Sequence, residues 1–145
     1  MIYWDSSAFV KKYLREEGSN AVVDRLTGDP AVATSILSYA EIHAVFARKA
    51  RERNVSAAAL ERLSRSFDSD WQSLVVVRVN DAILPAVRDV LIRHPLRGAD
   101  AVHLASALYL ARQTRSSNLC FACADDRLLQ AAAAEGLKAW NPLVK

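Results

Sequence analysis

Short runs of consecutive apolar residues alternate along this chain with longer stretches in which apolar positions recur every three or four residues, the pattern of buried strands joined by helices. Residues 1–4 read as a buried strand, followed at once by an alanine- and aliphatic-rich helix over residues 6–14. After Gly18-Ser19-Asn20 comes a second short helix to about residue 26, then the Gly28-Asp29-Pro30 turn and an extended segment at 31–34. Ser38 opens a long helix toward residue 53, with Ile42, Val45, Phe46 and Lys49 spaced for one face. Asn54-Val55-Ser56 interrupts it before another helix over residues 57–71. The β-branched stretch at 74–79 predicts a strand. Helices at 81–93 and 99–115 flank His94-Pro95-Leu96-Arg97-Gly98. The last unit is a strand at 119–124, a helix at 126–135, Gly136 as its C-cap and a short extended piece at 138–140. Strand and helix alternate throughout, as in an α/β chain.

With 145 residues and 52% hydrophobic content the chain is expected to form one domain over residues 1–145, with no linker, repeat or low-complexity tract. The formal charge of +3 suits a nucleic-acid substrate without amounting to a polybasic binder. No apolar run approaches the roughly 20 residues of a membrane span. Met1-Ile2-Tyr3-Trp4-Asp5 lacks the basic and apolar regions of a signal peptide, so a cytoplasmic location is expected. Cys120 and Cys123 form C-x-x-C, but no second pair completes a zinc site, and on a strand the two side chains point to opposite faces. They are expected to be small core residues.

Four carboxylates change the picture. Asp5, Glu41, Asp100 and Asp125 each sit where an apolar stretch hands over to a helix start. Each has a local reading: Asp5 and Asp125 as N-caps, and Glu41 as the acid of the capping box Ser38-Tyr39-Ala40-Glu41. Asp100 precedes Leu104, Ala107 and Leu108 on one apolar helix face, so its charge is expected to point inward, where it needs a cation, a hydrogen-bond shell or a proton. If the strands are parallel, their C-terminal ends share one edge, where open α/β folds place ligands. Four carboxylates gathered there would repel one another unless a cation joined them, and hard oxygen donors favour Mg²⁺ or Mn²⁺. His103, one turn after Asp100, could donate to a carboxylate or phosphate, but beside an apolar stripe it is expected first as a packed, hydrogen-bonded residue.

Beyond single residues, Asp5-Ser6-Ser7-Ala8-Phe9-Val10-Lys11, Ser38-Tyr39-Ala40-Glu41, the block from Leu96-Arg97-Gly98-Ala99-Asp100 through Leu108, and Ala124-Asp125-Asp126-Arg127-Leu128 resemble the successive motifs of PIN-domain proteins, the VapC group of type II toxins above all. The resemblance runs in order from Met1 nearly to the C-terminus. It implies a three-layer α/β/α sandwich with a central parallel sheet, and a Mg²⁺- or Mn²⁺-dependent endoribonuclease. Carried over, Asp5, Glu41, Asp100 and Asp125 are the acidic site residues, with Asp5 and Asp100 as metal ligands and Glu41 and Asp125 secondary. Ser6 takes the place of a small hydroxyl residue that positions phosphate or water. Two positions depart from the family pattern: Cys123 stands where Thr or Ser is common, and Asp125-Asp126 offers two candidates for the fourth acid, of which Asp125 fits D-x-x-L. The resemblance further implies a homodimer, a cognate antitoxin that covers the acidic pocket, and contact with operator DNA only through that antitoxin.

The residue types suit the chemistry. Hydrolysis by water, leaving 5′-phosphate and 3′-hydroxyl ends, needs charge neutralisation at the phosphoryl oxygens, which a carboxylate-held cation supplies. Nothing resembles the paired histidines of a route through the RNA 2′-OH. Lys11, Lys12, Arg15, Arg48, Arg97 and Arg127 are candidates to draw in the RNA backbone. Two other classes compete. An aspartyl-phosphate phosphatase is disfavoured because Asp5-Ser6-Ser7 lacks D-x-D and the chain has no phosphate loop. A non-cleaving PIN-like scaffold is disfavoured because all four acids are present.

Overall fold

The structure, a computed structural model, describes residues 1–29 and 31–144. Five strands, β1 (Ile2–Trp4), β2 (Val32–Ser35), β3 (Val75–Val77), β4 (Cys120–Ala122) and β5 (Lys138–Trp140), form one wholly parallel sheet in the order β3-β2-β1-β4-β5. Tyr3 pairs with Ala33 on one side and Phe121 on the other, so β1 lies at the centre. The order reverses there: the chain steps from β1 outward to β3, then returns to lay β4 against the other edge of β1. That reversal opens a crevice beyond the C-terminal ends of β1 and β4.

Parallel strands covered on both faces read as continuous apolar runs because both side-chain sets are buried. In β1, Ile2 and Trp4 face one layer and Tyr3 the other. The first layer contains α1 (Ser6–Phe9), α2 (Ser19–Gly28), α3 (Leu37–Arg51) and α4 (Ala57–Trp71). Its core holds Trp4, Phe9, Ile42, Phe46 and Phe67, with Phe67 edge-on to Phe9, Tyr13, Phe46 and Trp71. The second layer contains α5 (Leu84–Arg93), α6 (Gly98–Gln113) and α7 (Asp126–Ala134), packed over Tyr3, Phe121 and Val77. The fold is therefore the expected three-layer α/β/α sandwich. Helix α6 is buried nearly all round, from Ala101 to Leu110, and its Ala and Ser residues let α5, α7 and the sheet approach closely. Among the described residues no helix is long and apolar enough to cross a membrane.

The predicted elements match in order, with local differences, among them a start at Leu84 for the helix expected from residue 81. The helix expected over 6–14 stops at Phe9 and tightens into a 3₁₀ turn, Val10–Lys12. The long third helix begins at Leu37, one residue before Ser38, and the Ser38-Glu41 capping box does not form: Ser38 is buried and its hydroxyl pairs with Thr34 Oγ1 at 2.7 Å. Strands β3 and β4 are shorter than their apolar runs. Of the expected Gly28-Asp29-Pro30 turn, Gly28 ends α2, and Pro30 lies outside the described residues. Gly136 follows α7 at φ 90°, the left-handed conformation that ends a helix without a Cβ clash.

Candidate active site

Each of the four carboxylates is brought to the C-terminal edge of the sheet, or to a helix lying against it, by a different element. Asp5 leaves the end of β1 in extended conformation, its backbone N–H bonded to Ala122 O of β4, and caps α1. Its residue is only 4% exposed. Oδ2 accepts from Ser7 N at 3.0 Å and from the Ser7 hydroxyl. Ser7 Oγ in turn accepts from Ala124 N at 3.1 Å, so one hydroxyl ties the end of β1 to the loop after β4. Oδ1 makes no hydrogen bond among the described residues, and His103 Nε2 stands 3.6 Å from it.

Glu41 and Asp100 approach from opposite layers. Glu41 projects from the second turn of α3, and its Oε1 lies 2.5 Å from Nε2 of His103 on α6. His103 is fully buried, and its Nδ1 meets the Tyr3 hydroxyl at 3.0 Å. It is packed and hydrogen-bonded as expected, and it also meets a carboxylate, the second role open to it from the sequence. Asp100 occupies the first turn of α6 and pairs with Arg97 Nε at 3.3 Å; its side chain points neither fully inward nor to open solvent. Burial pulls the His103 pKa down, but the Glu41 hydrogen bond and the charges of Asp5, Glu41 and Asp100 outweigh it and hold it above its ordinary value. Carboxylates from the end of β1 and from α3 thus stand at one buried imidazole. Burial and the Asp5 charge push the Tyr3 phenol well up, so it stays neutral behind that ring.

Asp125 follows β4 and caps α7, its Oδ1 accepting from Leu128 N at 3.0 Å. Asp126 Oδ1 accepts from Asn141 Nδ2 at 2.9 Å, while the backbone of Asp125 is tied to Asp5. The tie is Cys123: its Sγ stands 3.6 Å from Asp5 Oδ2 and accepts from Asp125 N at 3.2 Å. Burial and the Asp5 charge push the Cys123 pKa up, so it is a thiol, without the thiolate character of a soft metal ligand. Cys120 faces the other layer, as expected of a strand pair three apart.

Asp100, Asp125 and Asp126 line an open pocket of about 600 Å³ whose walls include Arg97 and Arg127. Other basic candidates are committed elsewhere: Lys11 is buried against Glu16 at 2.9 Å, Lys12 holds Asp70 at 2.6 Å, and Arg48 lies beside Glu52. Arg15 lines a separate groove between the 3₁₀ turn and α4. Ser6 is half-buried and its hydroxyl makes no hydrogen bond among the described residues; Ser7 is the hydroxyl that touches Asp5.

Among the described residues no three His, Cys, Asp or Glu side chains stand together as a ready-made metal-holding group. In kind the donors fit a hard divalent cation: they are carboxylate oxygens, and Asp5 Oδ1 is free of hydrogen bonds.

The PIN-domain family model matches residues 2–134, all but the two ends of this arrangement. The chain belongs to the PIN-domain family. This PIN-domain protein is 33% identical over 138 residues to Ribonuclease VapC45 of Mycobacterium tuberculosis, covering 95% of the chain and 93% of that relative, which places it with the VapC type. Two solved structures share the fold. FitAcB from Neisseria gonorrhoeae superposes with a TM-score of 0.69 at 18% identity, and a toxin-antitoxin complex from Klebsiella pneumoniae with 0.67 at 13%. Each alignment covers 98% of both chains.

Proposed function

We propose that this PIN-domain protein is a metal-dependent endoribonuclease, the toxin of a type II toxin–antitoxin pair, acting as a single domain in the cytoplasm. The observation that carries the reading is the meeting of Glu41 and Asp5 at the buried His103 Nε2, with the Asp125 backbone linked to Asp5 through Cys123 and Asp100 beside Asp125 in the same open pocket. Asp5 and Asp100 would hold Mg²⁺ or Mn²⁺, which would supply Lewis-acid neutralisation of charge at the scissile phosphodiester. Glu41 Oε2, the oxygen not engaged by His103, accepts a proton from the attacking water. Asp125 completes the acidic rim and orients that water. The bond from phosphorus to the 3′-oxygen breaks as the water oxygen bonds to phosphorus, the 3′-oxygen takes a proton from solvent water and Glu41 returns its proton to solvent, giving 5′-phosphate and 3′-hydroxyl ends.

The remaining histidines support water as the nucleophile. His43 pairs with Asp68 and His94 with Glu135, so neither accompanies His103. A cyclising route through the RNA 2′-OH has no histidine pair to move its two protons. The ribonuclease name of the relative and the toxin–antitoxin neighbour support the rest of the proposal: an RNA substrate, inhibition by a cognate antitoxin, a homodimer, and operator DNA reached only through the antitoxin.

Cleavage of a mixed RNA pool by antitoxin-free protein in Mg²⁺, Mn²⁺ or EDTA tests this, with sequencing of the new ends and Asp100→Asn as control. Metal-dependent cuts bearing 5′-phosphates and absent in the variant are expected. Cuts that survive both EDTA and the substitution would overturn the assignment of the site.

A further inference from the structure

Glu41 has little in its own helix to anchor it. It sits on a helix surface with a third of its side chain exposed, and a glutamate has three side-chain torsions to fix. Repulsion from the Asp5 carboxylate, which faces the same His103 Nε2, favours rotamers that swing Glu41 to water. What holds it is one contact, Oε1 to His103 Nε2.

That contact is rigid because of what lies behind it. His103 has no exposed surface, it sits on the most buried helix of the fold, and its other nitrogen is engaged by the Tyr3 hydroxyl. Tyr3 is itself locked in central strand β1 and stacked on Phe121, with ring centroids 5.3 Å apart and planes 8° from parallel. The chain of contacts therefore runs from the middle of the sheet, through a phenol and an imidazole, to a carboxylate on the opposite layer. The same Nε2 faces Asp5 Oδ1 at 3.6 Å, so fixing the ring sets Glu41 relative to Asp5.

We propose that His103, braced by Tyr3, is a positioning residue that fixes the Glu41 carboxylate beside Asp5. The inference rests on the ribonuclease reading. His103 touches neither substrate nor reacting atoms; it acts through Glu41. Loss of a hydrogen bond that orients a metal-site carboxylate costs about ten- to a hundredfold in activity or metal affinity.

The test is a double-mutant cycle on the full chain, read by kcat and KM for RNA cleavage and, without RNA, by Mn²⁺ affinity from calorimetry. His103→Gln and Tyr3→Phe are each combined with Glu41→Gln. Tyr3→Phe keeps the aromatic stack and removes only the hydroxyl, so it serves even if His103→Gln fails to fold. Each single change is expected to lower kcat about tenfold or more with KM nearly constant, and to weaken Mn²⁺ binding. In the Glu41→Gln background neither should have much further effect. Full additivity, or unchanged kcat and Mn²⁺ affinity in Tyr3→Phe, would overturn the positioning role while wild-type cleavage upheld the ribonuclease reading. Wild-type protein that neither binds Mn²⁺ nor cuts RNA would overturn both.

Discussion

Ser6 and Ser7 are neighbours of identical chemistry, and the structure gives them opposite weights. Replacing Ser7 by Ala removes a hydrogen bond donated to the nearly buried Asp5 carboxylate and one accepted from the Ala124 amide. A hydrogen bond to a charged group contributes about 1.5–3 kcal/mol, and a buried donor left without a partner costs about 1–3 kcal/mol. Ala124 is half-buried, so water recovers part of the second term, and it belongs at the low end of that range. The expected loss is about 2–4 kcal/mol, a large share of the roughly 5–15 kcal/mol that holds a domain together. Ser6→Ala removes a hydroxyl without a partner among the described residues and should stay within about 0.5 kcal/mol of wild type. Urea denaturation with a common slope gives both values. In an Asp5→Ala background the Ser7 effect should shrink to the amide contribution alone. Equal midpoints for the two serine variants, or an undiminished Ser7 effect without Asp5, would refute the account of Ser7 as the tie between the two strand ends.

Other perturbations separate the remaining contributions. Arg97 is 81% exposed on the wall of the acidic pocket, so Arg97→Gln should raise KM for RNA with little change in kcat and lower the salt-dependence slope by about 1, measured by cleavage at several ionic strengths. Glu135 is held below its ordinary value of 4.5 first by the Arg93 hydrogen bond, against burial, and further by His94. A carboxylate depressed by folding stabilises fully above that ordinary value and loses its contribution as pH falls through the folded one. Thermal melts should therefore show wild type above Glu135→Gln at pH 6, with the gap closing toward pH 3. Phe67→Ala should cost about 3–5 kcal/mol in urea, because Phe67 is fully buried at the junction of α1, α3 and α4.

How much could be read from the chain alone follows from how far each interaction reaches. The order of elements, the helix over Ala57–Trp71 and the Gly136 stop rest on contacts within a few residues, and all were legible. The acids at strand-to-helix junctions were legible for the same reason: an apolar run followed by an N-cap is a local pattern, and Asp5 and Asp125 do cap α1 and α7. The capping box at Ser38 was equally local and did not form, because Thr34 and His103 offered Ser38 and Glu41 better-placed partners. His103 lies 62 positions from Glu41 and 100 from Tyr3, so its place one turn after Asp100 suggested a carboxylate partner without saying which.

The sequence by itself determined which segments are strands and helices, that both faces of the sheet are covered, and which carboxylates end the strands. Those are consequences of hydrophobic periodicity and backbone capping, which act over one or two turns. Only the tertiary structure decided that β4 lies beside β1, which places Cys123 and Asp125 next to Asp5. It also decided that Ser7 rather than Ser6 bonds Asp5, that Lys11 and Lys12 are held by Glu16 and Asp70, and that Asp126 turns to Asn141. These pairings join residues from different elements, and strand order and helix packing set their geometry, which no local pattern encodes.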